Sequence, residues 1–123
     1  PIKAFLLDQR RVAGIGNIYA DEALYRSRIF PGRQAGSLSG PEIERLHQAI
    51  QTVLSEGIAR RGTTLSDYRD ADGAAGTNAE NLRVYGRGGR GICEQCGAPL
   101  QRIVIAGRGT NFCPACQPDR ILD

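Results

Sequence analysis

The chain has 123 residues, 24% of them charged, and a formal net charge of only +3 at neutral pH. This length is enough for one medium domain, or for a small helical domain with an appended unit that cannot bury much core of its own. No apolar run approaches the ~18 residues of a membrane span, and no charged-then-apolar leader opens the chain, so we expect no membrane contact and an intracellular location.

The basic residues are almost all arginine, with Lys3 as the one lysine among 16. Arginine presents a planar fork of donors that fits phosphate oxygens. The stretch 83–108 contains one acidic residue, Glu94, and five of these arginines: Arg83, Arg87, Arg90, Arg102 and Arg108. Coding from GC-rich DNA would produce the same bias, so composition leaves both explanations open.

The first 30 residues predict two helices separated by a glycine-bearing turn. Ile2, Phe5 and Leu6 keep helical spacing in the first helix, in which Lys3 is expected to be a solvated side chain. The run 12–17 contains too much glycine to continue a helix.

The second helix is predicted over 18–27, with Asn17 as its N-cap and with Asp21 and Glu22 in its first turn. Pro31 ends it. The preceding glycines, Gly14 and Gly16, would let a phosphate approach the backbone, and free N–H groups at a helix start bind anions. An ordinary turn explains the same pattern, and both interpretations stay open.

The clearest helix is predicted over 39–60. Ser39 and Glu42 form a capping box ahead of its apolar run, Gly62 follows as a stop signal, and His47 is expected at the surface or core edge. Six apolar side chains form one stripe that we expect to pack on the first two helices as core: Ile43, Leu46, Ile50, Val53, Leu54 and Ile58.

Residues 64–82 show neither helical nor strand periodicity of apolar residues and contain several aspartates and glycines. This indicates a functional or mobile loop. Leu82, Val84 and Tyr85 predict a short extended piece. The glycines over 86–91 then predict a flexible joint. We place the domain boundary there, between 1–86 and 87–123.

The four cysteines carry the strongest signal. The pairs Cys93/Cys96 and Cys113/Cys116 are separated by sixteen residues, a spacing typical of a four-cysteine zinc site. Between them, 100–105 predicts a strand, 106–109 a hairpin turn and 110–112 a second strand, which makes a zinc ribbon. Two disulfides are the alternative, and an intracellular chain argues against them.

A four-thiolate site has no open position, so the one zinc is predicted to be structural and to supply most of the folding free energy of this small unit. Four thiolates and one zinc also lower the net charge from +3 to +1. Arg108 lies between two glycines of the predicted turn. It could contact a phosphate or could be a solvated turn residue, and composition does not decide between the two.

Together these motifs resemble the formamidopyrimidine-DNA glycosylase (MutM) family over nearly the whole chain. The matching runs are Leu6-Leu7-Asp8-Gln9, the stretch 12–24 that includes Gly-Ile-Gly-Asn-Ile-Tyr-Ala-Asp-Glu, Val84-Tyr85-Gly86-Arg87, the four cysteines, and Ala106 to Cys113. The resemblance implies a mostly α helix-two-turn-helix domain followed by a small β-hairpin four-cysteine zinc ribbon. Its implied partner is duplex DNA that contains an oxidised purine or an abasic site.

The resemblance also implies roles for individual residues. Lys3, Asn17 and Arg108 would touch DNA phosphates around the lesion, with Gly16 opening the phosphate turn. The loop 65–82 would close over an everted 8-oxoguanine, a role that suits a long aperiodic segment. Its candidate residues are Asp67, Tyr68, Gly73, Gly76 and Thr77.

The family's nucleophile is an N-terminal proline in a Pro-Glu-Leu-Pro-Glu context on a separate domain, and this sequence departs from that pattern. Pro1 is followed by Ile2-Lys3 and matches an internal position, so we do not expect it to be the nucleophile. The parent protein is expected to be a monomeric bifunctional glycosylase and AP lyase in the bacterial cytoplasm or nucleoid, with its catalytic domain in cis. This fragment is expected to bind DNA without catalysis. The alternative is a stand-alone zinc-ribbon module that binds protein or nucleic acid.

Overall fold

The computed structural model describes residues 1–8, 16–59 and 82–120. These form three helices and one hairpin, which confirms the predicted fold class. In chain order the elements are α1 (Ile2–Leu7), α2 (Asn17–Ser27), a short 3-10 helix (Ala35–Ser37), α3 (Gly40–Ala59), β1 (Gln101–Ile105) and β2 (Arg108–Phe112). None of the helices described is both long and apolar enough to cross a membrane.

The three helices enclose one apolar core, as the helical periodicity predicts. Its buried members come from all three helices and from the turn after α2: Ile2, Leu6, Ala20, Ala23, Leu24, Ile29, Leu46, Ala49 and Val53. Ile50 and Leu54 pack against this core. The prediction fails at Ile43, which is 55% exposed. Ile43 lies in the first turn of α3 and lines an open groove with Phe5 and Leu38 instead of entering the core.

The starts of α2 and α3 differ in how they are capped. At α3 the predicted capping box is confirmed, since Glu42 N donates to Ser39 Oγ at 3.2 Å and Ser39 N donates to Glu42 Oε1 at 2.9 Å. At α2 the prediction is wrong by one residue. Gly16 is the extended N-cap and Asn17 is the first helical residue, so the Asn17 side chain is not a cap and points elsewhere.

The hairpin turn is shorter than predicted. β1 and β2 pair antiparallel with Ile105 opposite Arg108, so the turn consists of Ala106 and Gly107 alone. Both have positive φ, 53° and 76°, as a two-residue type I′ turn requires. Arg108 is therefore an exposed strand residue next to the turn and not part of its tip.

Ala106 adopts the left-handed conformation at a cost of roughly 1–2 kcal/mol for a residue with a Cβ. Asparagine tolerates this region better. We expect Ala106→Asn to raise the free energy of unfolding of the zinc-loaded chain by about 0.5–1 kcal/mol, measured by urea denaturation. Ala115→Asn, at an exposed alanine with ordinary φ, is the control and should give no gain. Equal effects at both positions would contradict this explanation.

Residues 82–85 do not form the predicted extended piece. The backbone N–H groups of Arg83, Val84 and Tyr85 all donate to the buried Glu22 carboxylate at 2.8–2.9 Å. Three consecutive N–H groups can converge on one side chain only where the backbone curves. In a β-strand, successive N–H groups point to opposite edges of the strand. Glu22 thereby anchors this segment to α2. The prediction that Asp21 and Glu22 lie in the first turn of this helix is wrong, since both lie beyond it.

The glycine run after residue 85 is hydrogen-bonded rather than free. Gly89 N donates to Leu100 O and Leu100 N donates to Gly91 O, both at 2.9 Å, which joins the run to the ribbon. A second buried cluster then packs the ribbon on α2: Tyr25, Val84, Cys93, Leu100 and Cys113. The boundary at residue 86 stays a prediction.

Candidate zinc centre and nucleic-acid interface

The four cysteine sulfurs form one compact cluster in which all lie within 4.8 Å of one another. The Cys93–Cys116 sulfurs are 3.8 Å apart and the Cys96–Cys113 sulfurs 3.6 Å apart. A zinc–sulfur distance of about 2.3 Å places the sulfurs of a tetrahedral site roughly 3.8 Å apart, which these distances match. None of the four cysteines forms a disulfide, so the disulfide alternative is wrong. The chain holds one structural zinc on these residues.

Each cysteine pair forms a tight backbone turn around its first sulfur. Gln95 N donates to Cys93 Sγ and Cys116 N donates to Cys113 Sγ, both at 3.4 Å. Gly97, with φ of +78°, completes the first turn. Backbone N–H groups directed at a sulfur favour its thiolate form, which is the form that binds a metal.

A tyrosine from α2 also reaches this cluster. Tyr25 Oη lies 3.0 Å from Cys93 Sγ. Burial opposes ionisation of Cys93, but the hydrogen bonds from Tyr25 and from the backbone of Cys96 and Gln95 outweigh it and lower the pKa of this thiol to about 6. Burial and the neighbouring sulfur raise the pKa of Tyr25, so its hydroxyl keeps its proton.

Lys3 lies at the junction between the helices and the hairpin. Its ammonium group contacts Asp21 Oδ1 at 2.7 Å, Thr110 Oγ1 at 2.8 Å and Gly109 O at 2.9 Å. Lys3 and Asp21 are both 0% exposed. The expectation of a solvated Lys3 is therefore wrong. All three ammonium hydrogens have acceptors inside the protein, and the residue supports the hairpin from beneath.

Burial and the ion pair act on these two charges in opposite directions. Burial lowers the pKa of Lys3 and raises the pKa of Asp21, because both charged forms lose hydration. The attraction between the ammonium and the carboxylate works against both changes. Each charge therefore depends on its partner to persist in the interior.

Asp21 and Asn111 extend this network to the glycine run. Asp21 Oδ2 accepts hydrogen bonds from the backbone N and the Nδ2 of Asn111, both at 3.0 Å. Asn111 Oδ1 in turn accepts from Gly88 N at 3.0 Å. A Cβ at Gly88 would lie within 2.6–2.7 Å of the β1 backbone and of Asn111, so only glycine fits there. α2, the hairpin and the glycine run are thus held in one arrangement.

This arrangement encloses a polar cavity of about 320 Å³ at the start of α2. Its lining includes Asn17, Tyr85, Arg90, Arg102 and Gly109. Asn17 Nδ2 donates to Gly109 O at 3.3 Å, which joins the helix start to the hairpin. The Asn17 Oδ1 atom is buried and has no hydrogen-bond partner among the described residues.

The Arg102 side chain crosses the face of the hairpin beside this cavity. A Cβ built on Gly109 would collide with the Arg102 guanidinium, so the glycine makes room for the arginine. Arg90 and Arg102 thus bring two positive charges to the same cavity. A concave site with two guanidinium groups and a helix start is suited to bind an anion.

The structure brings part of the predicted DNA site together. Asn17 lines the cavity, Gly16 is its exposed neighbour with open space around it, and Arg108 precedes Gly109 on the hairpin. Gly14 and the loop candidates Asp67, Tyr68, Gly73, Gly76 and Thr77 lie outside the described residues.

Sequence reasoning missed the residues that hold this site together, chiefly Asp21, Glu22, Tyr25 and Asn111. One signal was available, because two acids and a tyrosine occupy positions 21, 22 and 25 on one side of a short helix. A helix that buries such residues must pack against a second polar partner.

A helix-two-turn-helix unit and a four-cysteine ribbon that pack on one shared helix define a class of zinc-containing nucleic-acid-binding proteins. The chain belongs to the formamidopyrimidine-DNA glycosylase family. The family sequence model described as "Formamidopyrimidine-DNA glycosylase H2TH domain" matches residues 1–69. A second family sequence model, described as "Zinc finger found in FPG and IleRS", matches residues 93–118.

Individual relatives agree with this membership. The chain is 60% identical over 116 residues to the formamidopyrimidine-DNA glycosylase of Desulfitobacterium hafniense, and the match covers 94% of this chain and 42% of the relative. The chain therefore spans less than half the length of this curated relative.

Solved structures match as well. The MutM (Fpg) protein of Thermus thermophilus superposes with a TM-score of 0.88 at 53% identity, covering 97% of this chain and 45% of that one. Lactococcus lactis Fpg in complex with DNA containing an abasic site gives 0.87 at 43% identity, with 95% and 42% covered. A MutM in complex with DNA containing carbocyclic 8-oxo-G gives 0.85 at 42% identity, again with 95% and 42% covered.

Proposed function

We propose that this chain is the DNA-binding C-terminal part of a bacterial base-excision-repair glycosylase and AP lyase that removes oxidised purines from duplex DNA. Its partner is a duplex with an abasic site, an 8-oxoguanine or a formamidopyrimidine, and it acts inside the cell as part of a monomer. The support is the family membership and the two relatives solved with abasic and 8-oxo-G DNA. The chemistry belongs to a separate catalytic domain in cis, and this part grips the DNA.

The observation that carries the proposal is the polar cavity between the start of α2 and the hairpin. The first N–H groups of an α-helix have no partner within the helix and favour an anion. Asn17 adds a side-chain amide at this point, and Arg90 and Arg102 add charge. A backbone phosphate of the DNA can accept hydrogen bonds from the N–H groups of this helix start and from the two guanidinium groups.

The hairpin supplies the second part of the grip. Arg108 is exposed beside the two-residue turn, and the next residue, Gly109, is hydrogen-bonded to both Asn17 and Lys3. We assign Arg108 to an adjacent phosphate and Lys3 to support of the hairpin. The lesion-covering role of residues 65–82 remains part of the proposal.

We expect Asn17→Ala and Arg108→Ala each to weaken binding to a duplex with a tetrahydrofuran abasic-site analogue. Loss of a charge-assisted hydrogen bond costs about 1.5–3 kcal/mol, which is roughly 10- to 150-fold in Kd. Fluorescence anisotropy at several salt concentrations measures the effect. Only Arg108→Ala should also reduce the slope of log K against log salt, by about 0.9, because it alone removes a cation.

Two variants serve as matched controls. Gln51→Ala removes an exposed amide from α3, and Arg120→Ala removes an exposed arginine whose neighbours are Gly32 and Arg33. Both should bind the duplex as the unaltered chain does. Unchanged affinity in Asn17→Ala and Arg108→Ala, with zinc content and helicity intact, would place the DNA surface elsewhere. That result would favour the alternative of a stand-alone zinc-ribbon module, which has no need for the helix start at Asn17.

A further inference from the structure

Tyr25 crosses from the helical unit into the cysteine cluster. Its side chain is 0% exposed, it lies in the last turn of α2, and its hydroxyl is 3.0 Å from the sulfur of Cys93, which is itself 1% exposed. The N–H groups of Gln95 and Cys116 that contact sulfurs belong to the cysteine turns themselves. Tyr25 contacts the cluster from a different element of the fold.

The direction of this hydrogen bond follows from the chemistry of the site. A cysteine that binds zinc does so as a thiolate and has lost its proton. The phenol O–H is then the donor and the sulfur the acceptor. We propose that Tyr25 is a positioning residue of the zinc centre, whose O–H group donates to the Cys93 thiolate and fixes the centre to α2.

The hydrogen bond has a clear electrostatic purpose. Four thiolates around one divalent zinc leave a net charge of −2, and Cys93 and Cys113 are buried. A buried anion needs a donor in place of the water it loses. Tyr25 supplies this donor to Cys93 on the side that faces α2, whereas Cys96 is exposed to solvent.

The position of Tyr25 links the metal to the DNA-facing residues. The same helix begins at Asn17 and carries Asp21 and Glu22, which bind the hairpin and residues 83–85. The hydrogen bond therefore fixes the zinc centre in register with the start of α2. Groups that orient a metal ligand in this way commonly contribute 10- to 100-fold to metal affinity.

The test compares Tyr25→Phe with Tyr19→Phe in the full chain. Both remove one hydroxyl from α2, but the Tyr19 hydroxyl lies against Gly57 of α3, away from the cysteines. In competition with a chromogenic chelator, Tyr25→Phe should raise the Kd for zinc about 10-fold or more. Tyr19→Phe should leave it unchanged.

Cobalt(II) substitution gives a readout that a packing role would not change. Loss of the donor makes the Cys93 thiolate a stronger electron donor, so the sulfur-to-cobalt charge-transfer band of Tyr25→Phe should move to longer wavelength. Site-specific 3-fluorotyrosine at position 25, which keeps the ring and has a more acidic hydroxyl, should move it to shorter wavelength.

Zinc affinity and cobalt bands in Tyr25→Phe that equal those of the unaltered chain would overturn the proposal. Equal changes in both tyrosine variants would do the same, since they would reflect helix packing alone. If Tyr25→Phe loses its helical circular dichroism, the fluorotyrosine protein decides, and an unmoved band there refutes the hydrogen bond.

Discussion

Removal of zinc should unfold residues 93–116 while the helical core persists. The buried cluster of this unit is small and includes two of the ligands, Cys93 and Cys113, so little apolar burial remains once the metal is gone. Structural zinc sites contribute apparent binding free energies of about 10–16 kcal/mol in small zinc-finger units, well above what such a core supplies. Chelation, or Cys96→Ser, should therefore collapse the dispersed amide signals of β1 and β2.

Amide NMR spectra measure this directly, with zinc content followed in parallel. Gln95→Ser is the matched control, because it places a serine beside the ligand in the same turn and removes no sulfur. It should retain zinc and the hairpin signals. Dispersed signals for Thr110 and Leu100 in metal-free protein would contradict the assignment of the folding free energy to the metal.

Asp21→Asn should destabilise the zinc-loaded chain by about 3–5 kcal/mol, because it leaves a buried ammonium without its counter-charge. Lys3 is 0% exposed and cannot reach water without moving the hairpin, to which it donates at Gly109 and Thr110. The asparagine keeps the size of the side chain, but it replaces one acceptor oxygen, toward Lys3 or toward Asn111, with an amide donor, so the effect combines the lost charge with a lost hydrogen bond. Urea denaturation measures the free energy of unfolding.

Glu44→Gln removes the same charge from an exposed position on α3. We expect it to change stability by no more than about 0.5 kcal/mol. A comparable small change in Asp21→Asn would show that the Lys3–Asp21 pair is dispensable. Lys3 would then have to be neutral in the folded variant.

Local features of this protein are readable from the sequence because they depend on near neighbours. The zinc site follows from two C-x2-C pairs, and the α3 start follows from Ser39 and Glu42, three residues apart. The end of β1 at Ile105 follows from the β-prone run, whereas β2 begins at Arg108, two residues before the predicted start. Each signal is contained within a few residues of the chain.

The candidate nucleic-acid site was less predictable because its supports join distant segments. Lys3 meets Thr110 and Asp21 meets Asn111, pairs that no local pattern indicates. The sequence predicts Lys3 to be a surface residue, because nothing in its local pattern shows that the hairpin covers it. The roles of Asn17 and Arg108 rested on family resemblance for the same reason, since spacing alone could not bring the helix start and the hairpin together.

The grip of Glu22 on residues 83–85 has a consequence for how this protein can vary. Gly57, near the end of α3, lies against Tyr19 of α2, and Arg83 to Tyr85 are bound to Glu22 on the same helix. Both flanks of the 60–81 stretch are therefore tethered to one rigid support. The contacts that hold the zinc ribbon on the helices near this stretch are made outside it, by Glu22 with residues 83–85. We therefore expect insertions or deletions between the two tethers, natural or engineered, to leave the ribbon in place.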